Sequence, residues 1–174
     1  MSLFPDWQRY AVTQRRGMTG CIPTGYEIIL RAAGAQGIDF DSFQDDFDLE
    51  KDLPPDAPRV NHFGSVANAV KAKYPSVVFS HRSFAKGEGL QKLAFVEQQI
   101  APGRAVLISL ALAPIGHGGW HIMPVVDGDT DKLILLWSVS PDGKASLLKL
   151  PKAELVRIHD SYPGGDEVAF LDQY

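Results

Sequence analysis

The sequence predicts an α+β domain in which an N-terminal helical half packs on a C-terminal antiparallel sheet. Three observations predict it. Before residue 100 the apolar residues recur at helical spacing; after Pro102 they come in short continuous runs of strand length; and Asp127-Gly128 lies between two of those runs. Helices first and strands after, joined by turn residues, is the pattern of an α+β architecture.

The elements follow in chain order. Ile22, Tyr26, Ile29, Leu30 and Ala33 form an apolar stripe at helical period, with Pro23 suited to the first turn and Gly34 to the residue just past the end. A short helix is expected after Asp41, whose side chain can cap it, with Phe43 and Phe47 on one face. A third helix is expected from Ser65 to just before Pro75, burying Val66, Ala69 and Val70, and a fourth over Leu90 to Ile100. Strands are predicted at Ala105–Leu112, Ile122–Val126 and Leu133–Val139, with two more at Leu147–Leu150 and Val168–Leu171 and a helical turn after Pro151. The Asp-Gly dipeptide marks the hairpin between the second and third strands.

At 174 residues the chain is the size of a single domain over 1–174 and needs no covalent staple to build a core. Hydrophobic residues at 45% and charged residues at 22% exclude a disordered or fibrous chain. A net charge of −4 argues against nucleic acid or an anionic membrane as the main partner. The N-terminal residues Met1 to Tyr10 carry Asp6 and Arg9 and lack the apolar run of a signal peptide, and nothing further indicates a compartment. The 22 uncharged residues from Ala105 to Val126 are long enough to span a bilayer, but Pro114, Pro124 and four intervening residues, Gly116, Gly118, Gly119 and His117, break any single apolar helix, so no membrane span is expected. The acidic stretch Asp41–Arg59, with seven carboxylates and three prolines, reads as a solvated helix face followed by a Pro-rich loop rather than a cation-binding subsite.

The chain has one cysteine, Cys21, so neither an internal disulfide nor a thiolate zinc cluster is possible, and no metal or cofactor motif is present. Cys21 falls at the start of the first amphipathic helix. Unpaired N–H groups and the dipole at a helix N-terminus stabilise an anion, which sets a nucleophile level with the alternative of a buried apolar filler, since free Cys is also among the most buried residue types. A thiolate needs a proton acceptor. Of the five histidines, His62 and His81 suit surface positions and His159 suits a helix C-terminus, leaving His117 and His121 in the glycine-rich approach to the second strand; the residues alone do not separate these two. Alternation places His121 on the face shared with Met123 and Val125. Gln14, seven residues before Cys21, offers an amide donor that can bind a developing oxyanion together with the Cys21 backbone N–H, although an isolated Gln is ordinarily a surface residue.

Gln14, then Cys21 within Thr-Gly-Cys-Ile-Pro-Thr-Gly-Tyr, an apolar strand, and His121 within Gly-Gly-Trp-His-Ile-Met-Pro-Val-Val-Asp-Gly before a return strand, resemble the papain-like cysteine peptidases. The closer likeness is to the double-glycine leader peptidases that process bacteriocin precursors, over about residues 10–142. The resemblance implies acyl transfer on a peptide or isopeptide bond of a peptide or protein substrate. Cys21 would be the nucleophile, His121 the proton shuttle and Gln14 the oxyanion donor. Two positions depart from that family: Ile22 stands where Gly usually follows the nucleophile, and the return strand lacks the usual Asp or Asn that orients the histidine. A turn centred between Asp129 and Thr130 would pair His121 with Ser138, a neutral acceptor, with Trp137 or Val139 opposite it if the centre moves by half a residue; Asp142 is the nearest downstream carboxylate. Trp120 and Trp137 flank this region and read first as sheet cover. A weaker orienting group opens two further expectations, a domain that binds peptide without cleaving it and an acyltransferase on the same fold.

Overall fold

The computed structural model describes residues 5–17, 19–54, 56–138 and 144–174. In chain order the elements are α1 (Cys21–Ala33), α2 (Phe43–Phe47), α3 (Phe63–Lys73), β1 (Val78–Ser83), α4 (Gly89–Ile100), β2 (Val106–Ala111), β3 (Trp120–Gly128), β4 (Lys132–Trp137), β5 (Ser146–Pro151), α5 (Lys152–Ser161) and β6 (Glu167–Gln173). The strands form a six-stranded sheet in the order β1-β6-β2-β3-β4-β5, with every neighbouring pair antiparallel. No helix among the described residues is long and apolar enough to cross a membrane.

All six residues of β2 are buried, so the sheet must be covered on both faces. On one face α1, α2 and α3 pack Tyr26, Phe43 and Val66 against Leu107, Ile122 and Leu136. On the other α4 and α5 pack Val96 and Ile158 against Ile108, Leu110 and Met123. Each such side chain contributes about 1.5–3 kcal/mol by leaving water. The α+β class holds, but the helices do not all lie on one side. The fourth predicted helix crosses to the second face, where it meets α5, a ten-residue helix where the sequence suggested only a turn.

Local chemistry explains most boundaries. Gly34, at φ 72°, adopts the left-handed conformation that closes α1, and its N–H bonds back to Arg31 and Leu30. Midway along α1, a Cβ on Gly25 would sit 3.1 Å from a Leu107 methyl, so the absent side chain is what lets the helix lie close on the sheet. The residue preceding α2 is Ser42 rather than Asp41, and its hydroxyl makes no capping bond but donates to the Asp39 and Asp46 carboxylates. β1 has no counterpart among the predicted strands. It is a half-exposed edge strand whose Ser-His-Arg-Ser lacks an apolar alternation, and its pairing with β6 comes from tertiary contact.

The β3–β4 hairpin turns one residue later than the expected centre between Asp129 and Thr130. Asp129 N–H donates to the Lys132 carbonyl (3.0 Å), so Thr130 and Asp131 are the central residues. Asp129 Oδ1 accepts from the Asp131 and Lys132 N–H groups, both at 2.9 Å. Those bonds hold its carboxyl down at about 2. Register then changes within β3, from Asp127↔Ile134 to Val125↔Leu135, leaving one extra residue at Val126. Continued along the strands, this register sets Ser138 level with Ile122 and not with His121.

Candidate active site

Cys21 is the first residue of α1, immediately after the Gly20 cap. Its sulfur is approached by the backbone N–H groups of Ile22, Ile122 and Cys21 itself. The first and last belong to the helix tip; the middle one belongs to β3 at the residue after His121. The thiol is half-buried, and burial pushes it up to about 11, outweighing those N–H groups, with the Glu50 carboxylate adding in the same direction. The helix N-terminus is present as the sequence predicts, but desolvation is the larger effect.

His121 is the second residue of β3 and is 7% exposed. It pairs with Leu110 across β2, so alternation turns it to the Met123 face while Ile122 points at α1. Its ring lies 6.4 Å from that of Trp137, which also carries His117 edge-on at 5.0 Å. Burial lowers the His121 imidazole to about 4. Nε2 is enclosed and has no hydrogen-bond partner, so no acceptor among the described residues engages it. No hydrogen bond joins His121 to Cys21 among the described residues.

Gln14 is buried at 8% exposure, not on the surface. It lies against the helix tip, its Cγ 3.4 Å from where a Gly20 Cβ would be. Nε2 donates to the Arg16 carbonyl at 2.6 Å, which fixes the amide orientation, and Oε1 is enclosed without a partner. Ser138 is 2% exposed; Asp142 lies outside the described residues.

Gln14, Cys21, His117, Trp120, His121 and Trp137 all line one cavity of about 1330 Å³. Ser138 is not among its lining residues. Thus three of the four predicted site residues converge on one space, and the fourth does not. No group of three His, Cys, Asp or Glu side chains among the described residues is placed to hold a metal ion.

The residues that position Gln14 escape sequence reasoning. Gln44, buried on α2, accepts from Arg15 N–H (2.9 Å) and the Thr24 hydroxyl (2.9 Å), and donates to the Thr13 carbonyl (3.2 Å) and Glu27 (2.9 Å). It thereby ties the Gln14 loop to α1. On the far side of that loop Asp48 accepts from the Thr19 hydroxyl (2.6 Å) and Asn61 Nδ2 (2.7 Å). Glu50 accepts from the Val60 and Asn61 N–H groups and from Arg59. Burial pulls the Glu50 carboxyl up, but these bonds outweigh it and leave it below its ordinary value. The acidic stretch is therefore only partly a solvated face: Asp48 and Glu50 are buried and brace the loop. The available signal is their alternation with Phe47 and Leu49.

No family model matches the chain, and no curated protein matches it. Among solved structures, the crystal structure of a candidate C39-like peptidase from Bacillus anthracis superposes with a TM-score of 0.61 at 13% identity, covering 97% of this chain and 96% of that one. The chain shares the fold of that C39-like protein over nearly its whole length.

Proposed function

We propose that the protein is a thiol-dependent peptidase or amidase that accepts a peptide segment in this cavity and transfers its acyl group to Cys21. The observation that carries the reading is the convergence of Gln14, Cys21 and His121 on one cavity at the tip of α1. The C39-like fold supports the same class of chemistry. At about 1330 Å³ the cavity exceeds the ~300–1,000 Å³ usual for small-molecule sites, which suits a peptide.

With the thiol near 11 and the imidazole near 4, both groups are neutral at pH 7. The resting pair is therefore an SH and a free base, not an ion pair. Sulfur adds to the substrate carbonyl carbon as the thiol proton passes to the His121 imidazole. The Cys21 backbone N–H and Gln14 Nε2 donate to the oxygen that gains charge. The tetrahedral adduct expels the amine, which leaves with the His121 proton, and water then releases the acyl group from sulfur. An amine or thiol in place of water would make the same site an acyltransferase.

One observation favours a second reading, in which the cavity binds peptide without cleaving it: no hydrogen bond joins Cys21 to His121, and Nε2 has no orienting partner among the described residues. An active ester separates the two. Exposed to N-acetylglycine p-nitrophenyl ester at pH 7, the wild-type chain is expected to carry an acetylglycyl adduct on Cys21 by mass spectrometry and to release it with time. Cys21→Ala forms none, and His121→Ala acylates about 10²-fold more slowly. An unmodified Cys21, or a rate indifferent to His121, supports binding alone.

A further inference from the structure

The cavity has two unlike walls. The wall beyond Trp120 is built by the end of β1, the start of α4 and the loop entering β6, and carries Glu88, Asp166 and Glu167. Among the described residues none of these three has a Lys or Arg ion-pair partner. Glu88 accepts only from the Ala85 N–H (2.7 Å) and Glu167 from the Ser83 hydroxyl (3.5 Å). Among the described residues the one Lys or Arg lining the cavity, Arg59, is committed to Glu50 on the opposite wall at 2.8 Å. Behind the acidic wall Lys92 is buried, donating to the Ser109 carbonyl (2.7 Å) and to the Gly165 carbonyl. It offsets part of the charge, leaving three carboxylates against one enclosed ammonium.

That wall is also stiff. Gly165 lies so close to β2 that a Cβ would be 2.7 Å from the Ala111 nitrogen, and on Gly164, at φ 81°, a Cβ would be 2.7 Å from the Trp120 indole. Phe84 N–H donates to the Asp166 carbonyl (2.9 Å), tying β1 to the same loop. The carboxylates thus project from a preorganised surface beside an indole face that is 47% exposed.

From the charge, the aromatic face and the rigidity of this wall, we infer that the cavity selects a peptide bearing a Lys or Arg side chain, with its methylene stem on Trp120 and its cation among Glu88, Asp166 and Glu167. The inference rests on the reading of the cavity as a peptide site, and it deepens that reading by naming the side chain recognised. It does not depend on cleavage.

The test is fluorescence anisotropy with fluorescein-labelled alanine hexapeptides carrying one lysine or one norleucine at each position in turn, titrated with the wild-type chain. At one position lysine is expected to bind about tenfold more tightly than norleucine, as for one desolvated charge pair. The preference should shrink as salt is raised and fall below about threefold in Asp166→Asn/Glu167→Gln, with Glu88→Gln as a second, separate variant. Equal affinities at every position, absence of binding, or a preference untouched by salt and by both variants would overturn it. The two proposals fail separately. A lysine preference with an unacylated Cys21 removes the peptidase and keeps the subsite, whereas an acylated Cys21 with no lysine preference does the reverse.

Discussion

Cys21 is subject to two opposed effects, and their magnitudes decide its resting state. Three backbone N–H groups approach the sulfur and favour an anion, yet removal from water is larger and keeps the thiol protonated. His121 follows the same logic with the opposite charge: burial disfavours imidazolium, so the ring is a free base at neutral pH. A neutral pair places the demand on proton transfer during attack, and Gln14 then matters for the oxygen and not for the sulfur. Gln14→Leu is expected to slow ester acylation of Cys21 by about 10²-fold while leaving urea stability close to wild type; an unchanged acylation rate would remove Gln14 from the oxyanion site. The sequence pointed to Cys21, His121 and Gln14 because each sits at a position with local meaning: a helix start, a glycine-rich strand entry, and a place just upstream of the nucleophile. It could not locate the partner of His121, since that depends on a bulge at Val126 whose only local trace is an ordinary Val-Val pair.

At the scale of elements, α1 was readable almost residue by residue because its stripe, its Pro23 and its Gly34 all act locally. Its approach to the sheet was not, since Gly25 acquires meaning only where Leu107 lies over it. Gly25→Val should therefore cost about 1–3 kcal/mol through overpacking and lower Tm, and an unaltered Tm would mean that α1 and β2 are less closely packed than described. The loop carrying Gln14 depends on α2 through Gln44, whose amide makes four bonds in a buried setting. Gln44→Leu strips these groups, the Glu27 carboxylate among them, of a partner. A loss of about 2–4 kcal/mol by urea denaturation is expected, together with slower acylation of Cys21 as the loop loosens. Stability lost without any change in acylation would separate the brace from the site. β1 was illegible because its pairing is defined by distant partners, and the bracing carboxylates Asp48 and Glu50 left only their alternation with Phe47 and Leu49 as a trace.

For the whole molecule, one sheet covered on both faces brings residues 14, 21 and 121 to a common cavity, and a C39-like chain shares the fold at 13% identity. Such agreement at low identity reflects which positions are apolar, a pattern many sequences satisfy. The α+β class was legible from that pattern; the two-sided layering was not, because helical period does not state which face of a sheet a helix will cover. The buried neutral His121 also makes global stability depend on pH. Its folded value, about 4, lies below the ordinary 6.5, so the unfolded chain binds its proton first. The contribution is complete above pH 6.5 and is lost as pH falls toward about 4. Wild-type Tm should therefore drop across that window, and the drop should be smaller in His121→Gln, which has no proton to gain. Equal drops would place the imidazole in water.

The pH–rate profile for acylation of Cys21 by the active ester bears most directly on the account. A neutral thiol deprotonated by His121 during attack predicts a rate that is level from about pH 5 to about pH 10, with an acid limb near 4, and that depends on His121 throughout. A rate that climbs about tenfold per pH unit toward 11, and is the same in His121→Ala, would show a thiol ionising alone, with no base beside it.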